Sequence, residues 1–180
     1  MKLSKILSEA AFNTKFEKLR WENKNGVFAA RGKIDDDEFE LTIEPNSYTV
    51  LDEEYTYLNV GFSRILETGP TENLISMNKD QSRAFGAIKN GLEGQVKALD
   101  SKYDINAIVM LVKSGEEKRL GIYRRMLTSK INGFTDWTGF RLEITMPSGT
   151  ALVGMKEHLS PEILKALKSK IESYGKHLDR

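Results

Sequence analysis

The chain has 180 residues, a length that suits one domain, and its eight Phe, six Tyr and two Trp are too many for a disordered chain. Its 27 Lys and Arg nearly balance 26 Asp and Glu, so no global field draws it to nucleic acid or to an anionic membrane. The absence of cysteine removes disulfides, thiolate catalysis and zinc sites of the cysteine type, and it fits a reducing, cytoplasmic setting.

The opening "MKLSKILSEAAF" lacks the uninterrupted apolar run of a signal peptide and reads as a short amphipathic helix, with Leu3, Ile6, Leu7 and Ala10 on one side. No stretch approaches the ~18 apolar residues of a membrane span. From residue 15 the period changes to two. "KFEKLRW", the turn "NKNG", "VFAARGKI", the acidic turn Asp35 to Asp37 and "EFELTIE" predict an antiparallel meander with one wet face. "EYTYLNVGFSRI", residues 54–65, is a fourth strand in which Gly61 marks a bulge, a close backbone approach or simple packing. "LETGPTENLISMN" has few periodic apolar positions and reads as a loop of about a dozen residues.

The longest helix is "KDQSRAFGAIKNGLEGQVKALDSKY", where Phe85, Ile88, Leu92, Val96 and Leu99 form a buried stripe. Its Gly86, Gly91 and Gly94 each cost roughly 1 kcal/mol against alanine, which implies close contact with a neighbour. "INAIVMLV" is apolar almost throughout, the pattern of a central strand covered on both faces. Residues 116–131 form a helix with Leu120, Tyr123, Leu127 and Ile131 inward, leaving Lys118, Arg119, Arg124, Arg125 and Lys130 as a basic cluster. That cluster is either a solvated face or a surface that binds phosphate, nucleic acid or an acidic protein. "GFRLEITM" and "TALVGMKE" pair about "PSG". The last helix has Ser160 as N-cap, Pro161 in its first turn and a stripe of Leu164, Leu167, Ile171, Tyr174 and Leu178. One domain over residues 1–180 follows, α/β in the broad sense (α+β), with a central mixed, mostly antiparallel sheet flanked by helices.

Metal and common hydrolase chemistry find no support in the residue pattern. His158 and His177 stand singly, Asp35 to Asp37 lack the spacing of a calcium loop, and the phosphate-loop, zinc-protease and serine-hydrolase motifs are absent. Trp21 and Trp137 lie beside strand-like or turn-like sequence, where partial burial is commoner than a stacking role.

Through "LNVGF", "SRAFGAIKNGL", "INAIVMLV" and "EEKRLGIYRRML" the layout resembles the GCN5-related N-acetyltransferase fold over roughly residues 1–157. The resemblance implies an acyl-CoA-dependent transfer to an amine, with acetyl-CoA as cofactor. It implies a V-shaped cleft for the pantetheine arm, where the fourth strand near Gly61 splays from the strand at 105–112. It places Arg83, Gly86 and Ala87 at the pyrophosphate, within the segment Arg83 to Ile88, and it makes Tyr123 the acid that protonates the leaving thiolate. The last position of that segment is Ile88 where the family has a small residue, and Asp80 as N-cap would put Arg83 inside the helix. Glu67 and Glu72 lie near the cleft as general-base candidates, in no motif. "VGF", "AFGAIKNGL", "AIVMLV" and "RLGIYRRML" are also similar to small proteins carried by tailed bacteriophages. That likeness implies an origin more than an activity. With Ile88 closing the cofactor segment and no base in a motif, the favoured reading is an accessory protein of the host cytoplasm that binds a host or virion protein without catalysis, through a surface containing Arg119, Arg124 and Arg125; an acyl-CoA-dependent N-acyltransferase is the alternative.

Overall fold

The computed structural model describes residues 19–34, 37–66, 69–71, 81–128, 137 and 139–176. The strands are β1 (Glu22–Lys24), β2 (Val27–Ile34), β3 (Asp37–Val50), β4 (Glu53–Leu66), β5 (Gly69–Thr71), β6 (Ile105–Lys113), β7 (Phe140–Met146) and β8 (Gly149–Met155). The helices are α1 (Gln81–Tyr103), α2 (Glu117–Thr128) and α3 (Pro161–Gly175). They form one sheet in the order β1-β2-β3-β4-β6-β8-β7, with β5 on β4. Every pair is antiparallel except β4 with β6, whose parallel pairing is made possible by the crossover through α1.

Local chemistry explains the meander. Asn25 and Gly26 turn β1 into β2 with positive φ of 54° and 89°, and Gly26 N–H donates to Asn23 Oδ1 at 3.0 Å. β1 is three residues long, and the "KFEKLRW" segment predicted to feed it lies mostly outside the described residues. β3 runs well past the predicted "EFELTIE", through Pro45 to Val50. Its pairing with β2 ends at Phe28 and Ile43, so among the described residues β3 is from there an edge strand, where the missing N–H of proline costs no ladder bond.

Alternation divides the sheet into two faces. Leu41, Ile43, Leu58, Val60, Phe62, Ile108, Met110 and Val112 pack under α1 and α2. Tyr57, Ala107, Val109, Ile144, Ala151 and Val153 pack under α3 through Leu167 and Ile171. β6 is therefore covered on both sides, as its apolar run predicts. Close contact at the helix glycines is realised at Gly91, where a Cβ would lie 2.6 Å from Leu19 Cδ1 and 2.8 Å from Leu41 Cδ1; at Gly94 nothing lies within 4 Å. Ser160 caps α3 as predicted, accepting from Ile163 N–H. No helix among the described residues is long and apolar enough to cross a membrane.

Candidate functional site

The parallel register of β4 and β6 runs from Thr56 with Ile105 to Asn59 with Val109 and stops there. Higher on the same edge of β4, Arg64 to Leu66 pair with β5. On that edge residues 60–63 thus face no strand among the described residues, and a cleft of about 260 Å³ opens beside them. Val60, Gly61, Phe62 and Ser63 line one wall, Leu111, Val112 and Lys113 the other, and Ser148, Gly149 and Tyr174 border it from the far side of the sheet. Gly61 is here for close approach: a Cβ would sit 3.0 Å from Thr42 Oγ1. The register irregularity of β4 lies lower, between Thr56 and Tyr57.

On the α2 side the backbone of Phe62 is held by side chains. Arg119 Nη2 donates to Phe62 O at 2.6 Å, and Phe62 N–H donates to Tyr123 Oη at 3.3 Å. Arg119 also donates from Nε and Nη2 to Tyr123 Oη at 3.3 and 3.2 Å, and from Nη1 to Glu116 Oε2 at 3.3 Å. Its guanidinium carbon lies 5.3 Å from the Phe62 ring centroid, and the Phe62 and Tyr123 rings meet edge-on at 5.2 Å. A buried cation is tolerated only when its donors are paired, and these bonds supply that. Arg119 and Tyr123 together perform for Phe62 what a neighbouring strand performs elsewhere in the sheet.

The opposite side of the cleft is polar. Glu44 and Asn59 are register partners on β3 and β4, so their side chains emerge together, and Tyr174 of α3 donates from Oη to Glu44 Oε2 at 3.0 Å. Burial, and then the Glu44 carboxylate that accepts its bond, push the Tyr174 hydroxyl above the usual phenol range; a hydrogen bond from Asn59 acts the other way. None of these three residues stands in a motif. Tyr174 was visible only as a member of the α3 stripe.

The predicted site residues separate. Tyr123 is fully buried and lies outside the cleft lining, with its oxygen taken by Phe62 and Arg119, so it lacks the reach a general acid needs. Arg119 is 5% exposed and belongs to the core, which corrects its expected place on a solvated basic face. Ile122 and Met126 join Tyr123 and Leu127 in the buried stripe and turn it toward Arg119. Arg124 and Arg125 are exposed, and Arg124 holds Glu143 with two bonds of 2.6 and 3.3 Å, so the expected basic face is partly neutralised. No protein-family model and no curated protein matches this chain. α1 is described from Gln81, so Gly86 and Ala87 lie more than one turn inside it. There their N–H groups fall where i→i−4 bonds are made, so they are not the free donors that a pyrophosphate requires. Glu67, Glu72 and His177 lie outside the described residues, and no cluster of metal-ligating side chains occurs among the described ones. Trp21 is half-buried as expected, whereas Trp137 is buried in the core.

Proposed function

We propose that the cleft between β4 and β6 binds the acyl-bearing arm of an acyl-CoA thioester, on a scaffold similar to the GCN5-related N-acetyltransferases, and that the protein transfers the acyl group to an amine. The observation that carries this reading is the separation of β4 from β6 directly above Asn59 and Val109, near Gly61. A cleft with apolar walls at Val60, Phe62 and Leu111 and polar groups at Asn59 and Ser63 suits a thin arm in which methylene groups alternate with amides. In the transfer the amine nitrogen forms a bond to the acyl carbon, the carbon–sulfur bond breaks with its electron pair on sulfur, and the proton lost from nitrogen ends on the thiol. The chain's contribution is to hold both partners at the splay, where orientation supplies most of the acceleration. The resemblance assigns the anion end of the ligand to Arg83 on α1.

One observation favours a second reading, an accessory protein of phage type that binds a host or virion protein without chemistry. Arg119 and Tyr123 already satisfy the backbone of Phe62, so the splay is stable with no ligand. Against it, the exposed large apolar side chains among the described residues are single ones on different elements, Leu51, Tyr103 and Phe140.

Calorimetric titration with acetyl-CoA separates the two. The acyl-transfer reading expects micromolar binding, lost in Ser63→Trp, which fills the cleft, and weakened about tenfold in Arg83→Ala, roughly the worth of one charge-assisted contact. No heat at millimolar acetyl-CoA would end it.

A further inference from the structure

We infer that Glu44, which holds the cleft-lining Tyr174 and pairs in register with the cleft-lining Asn59, is the recognition group for a primary ammonium ion. Other carboxylates near this part of the molecule are matched by cations: Glu40 with Arg31 at 3.0 Å, Glu38 with Lys33 at 2.9 Å and Glu116 with Arg119 at 3.3 Å. Glu44 is half-buried, and among the described residues its carboxylate takes a neutral phenol, Tyr174, and no lysine or arginine. Asn46 turns its amide to the backbone oxygen of Glu44 at 3.1 Å and leaves the carboxylate alone. A carboxylate partly withdrawn from water and given only neutral partners is improved by an arriving cation.

The number of acceptors fits the geometry of an ammonium group. Three N–H donors require three acceptors; Asn59 and Tyr174 line the cleft, and Glu44 adjoins them through the bond it accepts from Tyr174 and its register pairing with Asn59. The cations facing the same cleft are accounted for. Arg119 is committed to Phe62 O, Tyr123 and Glu116, and Lys113 stands four residues beyond Val109, the partner level with Asn59, hence roughly 13 Å along β6. A ligand with its ammonium at Glu44 presents the rest of its length toward residues 60–63. Glu44 is in this way specificity-determining and Tyr174 a positioning residue; as the acceptor subsite, the cradle rests on the acyl-transfer reading.

The experiment titrates the full chain with cadaverine, and with 1,5-pentanediol as its uncharged counterpart, following amide shifts by NMR without any thioester. Cadaverine should bind and the diol should not. Glu44→Gln, which can still accept from Tyr174, should weaken cadaverine by at least about tenfold with the thermal midpoint kept. Tyr174→Phe should cost several-fold in affinity while preserving the preference for the diamine. Equal binding of diamine and diol, unchanged affinity in Glu44→Gln, or no shifts with millimolar cadaverine would each overturn the inference. Cadaverine binding in a protein that ignores acetyl-CoA would leave this cradle standing and remove the acyl-transfer reading; acetyl-CoA binding without cadaverine binding would do the reverse.

Discussion

Tyr123→Phe isolates one atom. The ring stays, with its edge-on contact to Phe62, while the oxygen that accepts from Phe62 N–H and from Arg119 disappears. Arg119 keeps Phe62 O and Glu116, so its charge remains paired. The loss then falls on the amide of Phe62, which on that edge has no neighbouring strand among the described residues, and on the Nε–H of Arg119, which donates to the same oxygen. A buried donor left without a partner costs about 1–3 kcal/mol. Since the existing bond is long at 3.3 Å, we place the loss near the middle, about 2 kcal/mol, or a fall in Tm of roughly 4–8 °C for a chain of this size. Urea denaturation gives the free energy, and hydrogen exchange at the Phe62 amide gives its location. A change below about 0.5 kcal/mol, with Phe62 protection intact, would mean that Tyr123 is ordinary packing and that something else holds the splay.

Other perturbations follow from the same contacts. Among the described residues Tyr48 has a buried hydroxyl with no hydrogen-bond partner, so Tyr48→Phe should leave stability unchanged or raise it by up to about 1–2 kcal/mol in urea titrations; a clear loss would reveal an unrecognised acceptor. Gly149 has φ of 152°, and a Cβ there would strike Val112 O and lie 2.9 Å from Lys113 Cα. Gly149→Ala should therefore cost about 2–6 kcal/mol by strain and overpacking together, seen as loss of soluble folded protein, and a variant of native stability would contradict the register of β6 with β8. Burial, with Tyr174 and Glu44 nearby, pushes the Tyr57 hydroxyl up to about 12, and burial raises Tyr48 and Tyr174 as well. Unfolded tyrosines ionise near pH ~10, so this stabilisation is complete below that pH and is lost above it, for Tyr57 between pH ~10 and ~12, at up to ~1.4 kcal/mol per pH unit for each group. Thermal midpoints should stay level to pH ~10 and then fall, less steeply in Tyr57→Phe; a fall indifferent to that substitution would exclude Tyr57 as a cause.

The periodicity of particular segments explains what was readable. β2, β6, the closing hairpin and α3 appear where alternation, an apolar run, "PSG" and the Ser160 cap predict them. β3 extends beyond "EFELTIE" through Pro45, which is tolerated because no strand among the described residues pairs with β3 there on the β2 side, and only the pairing pattern tells this. Arg119 was misplaced because helical phase follows the majority of apolar residues, and Ile122 with Met126 shifts that phase by less than one residue step of about 100°. Gly61 stands out in its strand, whereas the residues that gather around it are not signalled by any local pattern. Glu44 and Tyr174 are brought together by tertiary packing across 130 positions, a separation no local pattern encodes.

β6 joins two blocks that can each close locally, the meander β2 to β4 through short turns and the β7–β8 hairpin about Pro147 and Ser148. Its partners on β4 lie about 50 positions away, so loop-closure entropy is spent before any of its contacts are gained, and docking of β6 should limit the rate of folding. Until it docks, "INAIVMLV" is an unpaired, uncharged, proline-free β-former. The strand that completes the sheet is thus also the one most exposed to intermolecular pairing, and refolding yield should fall as protein concentration rises.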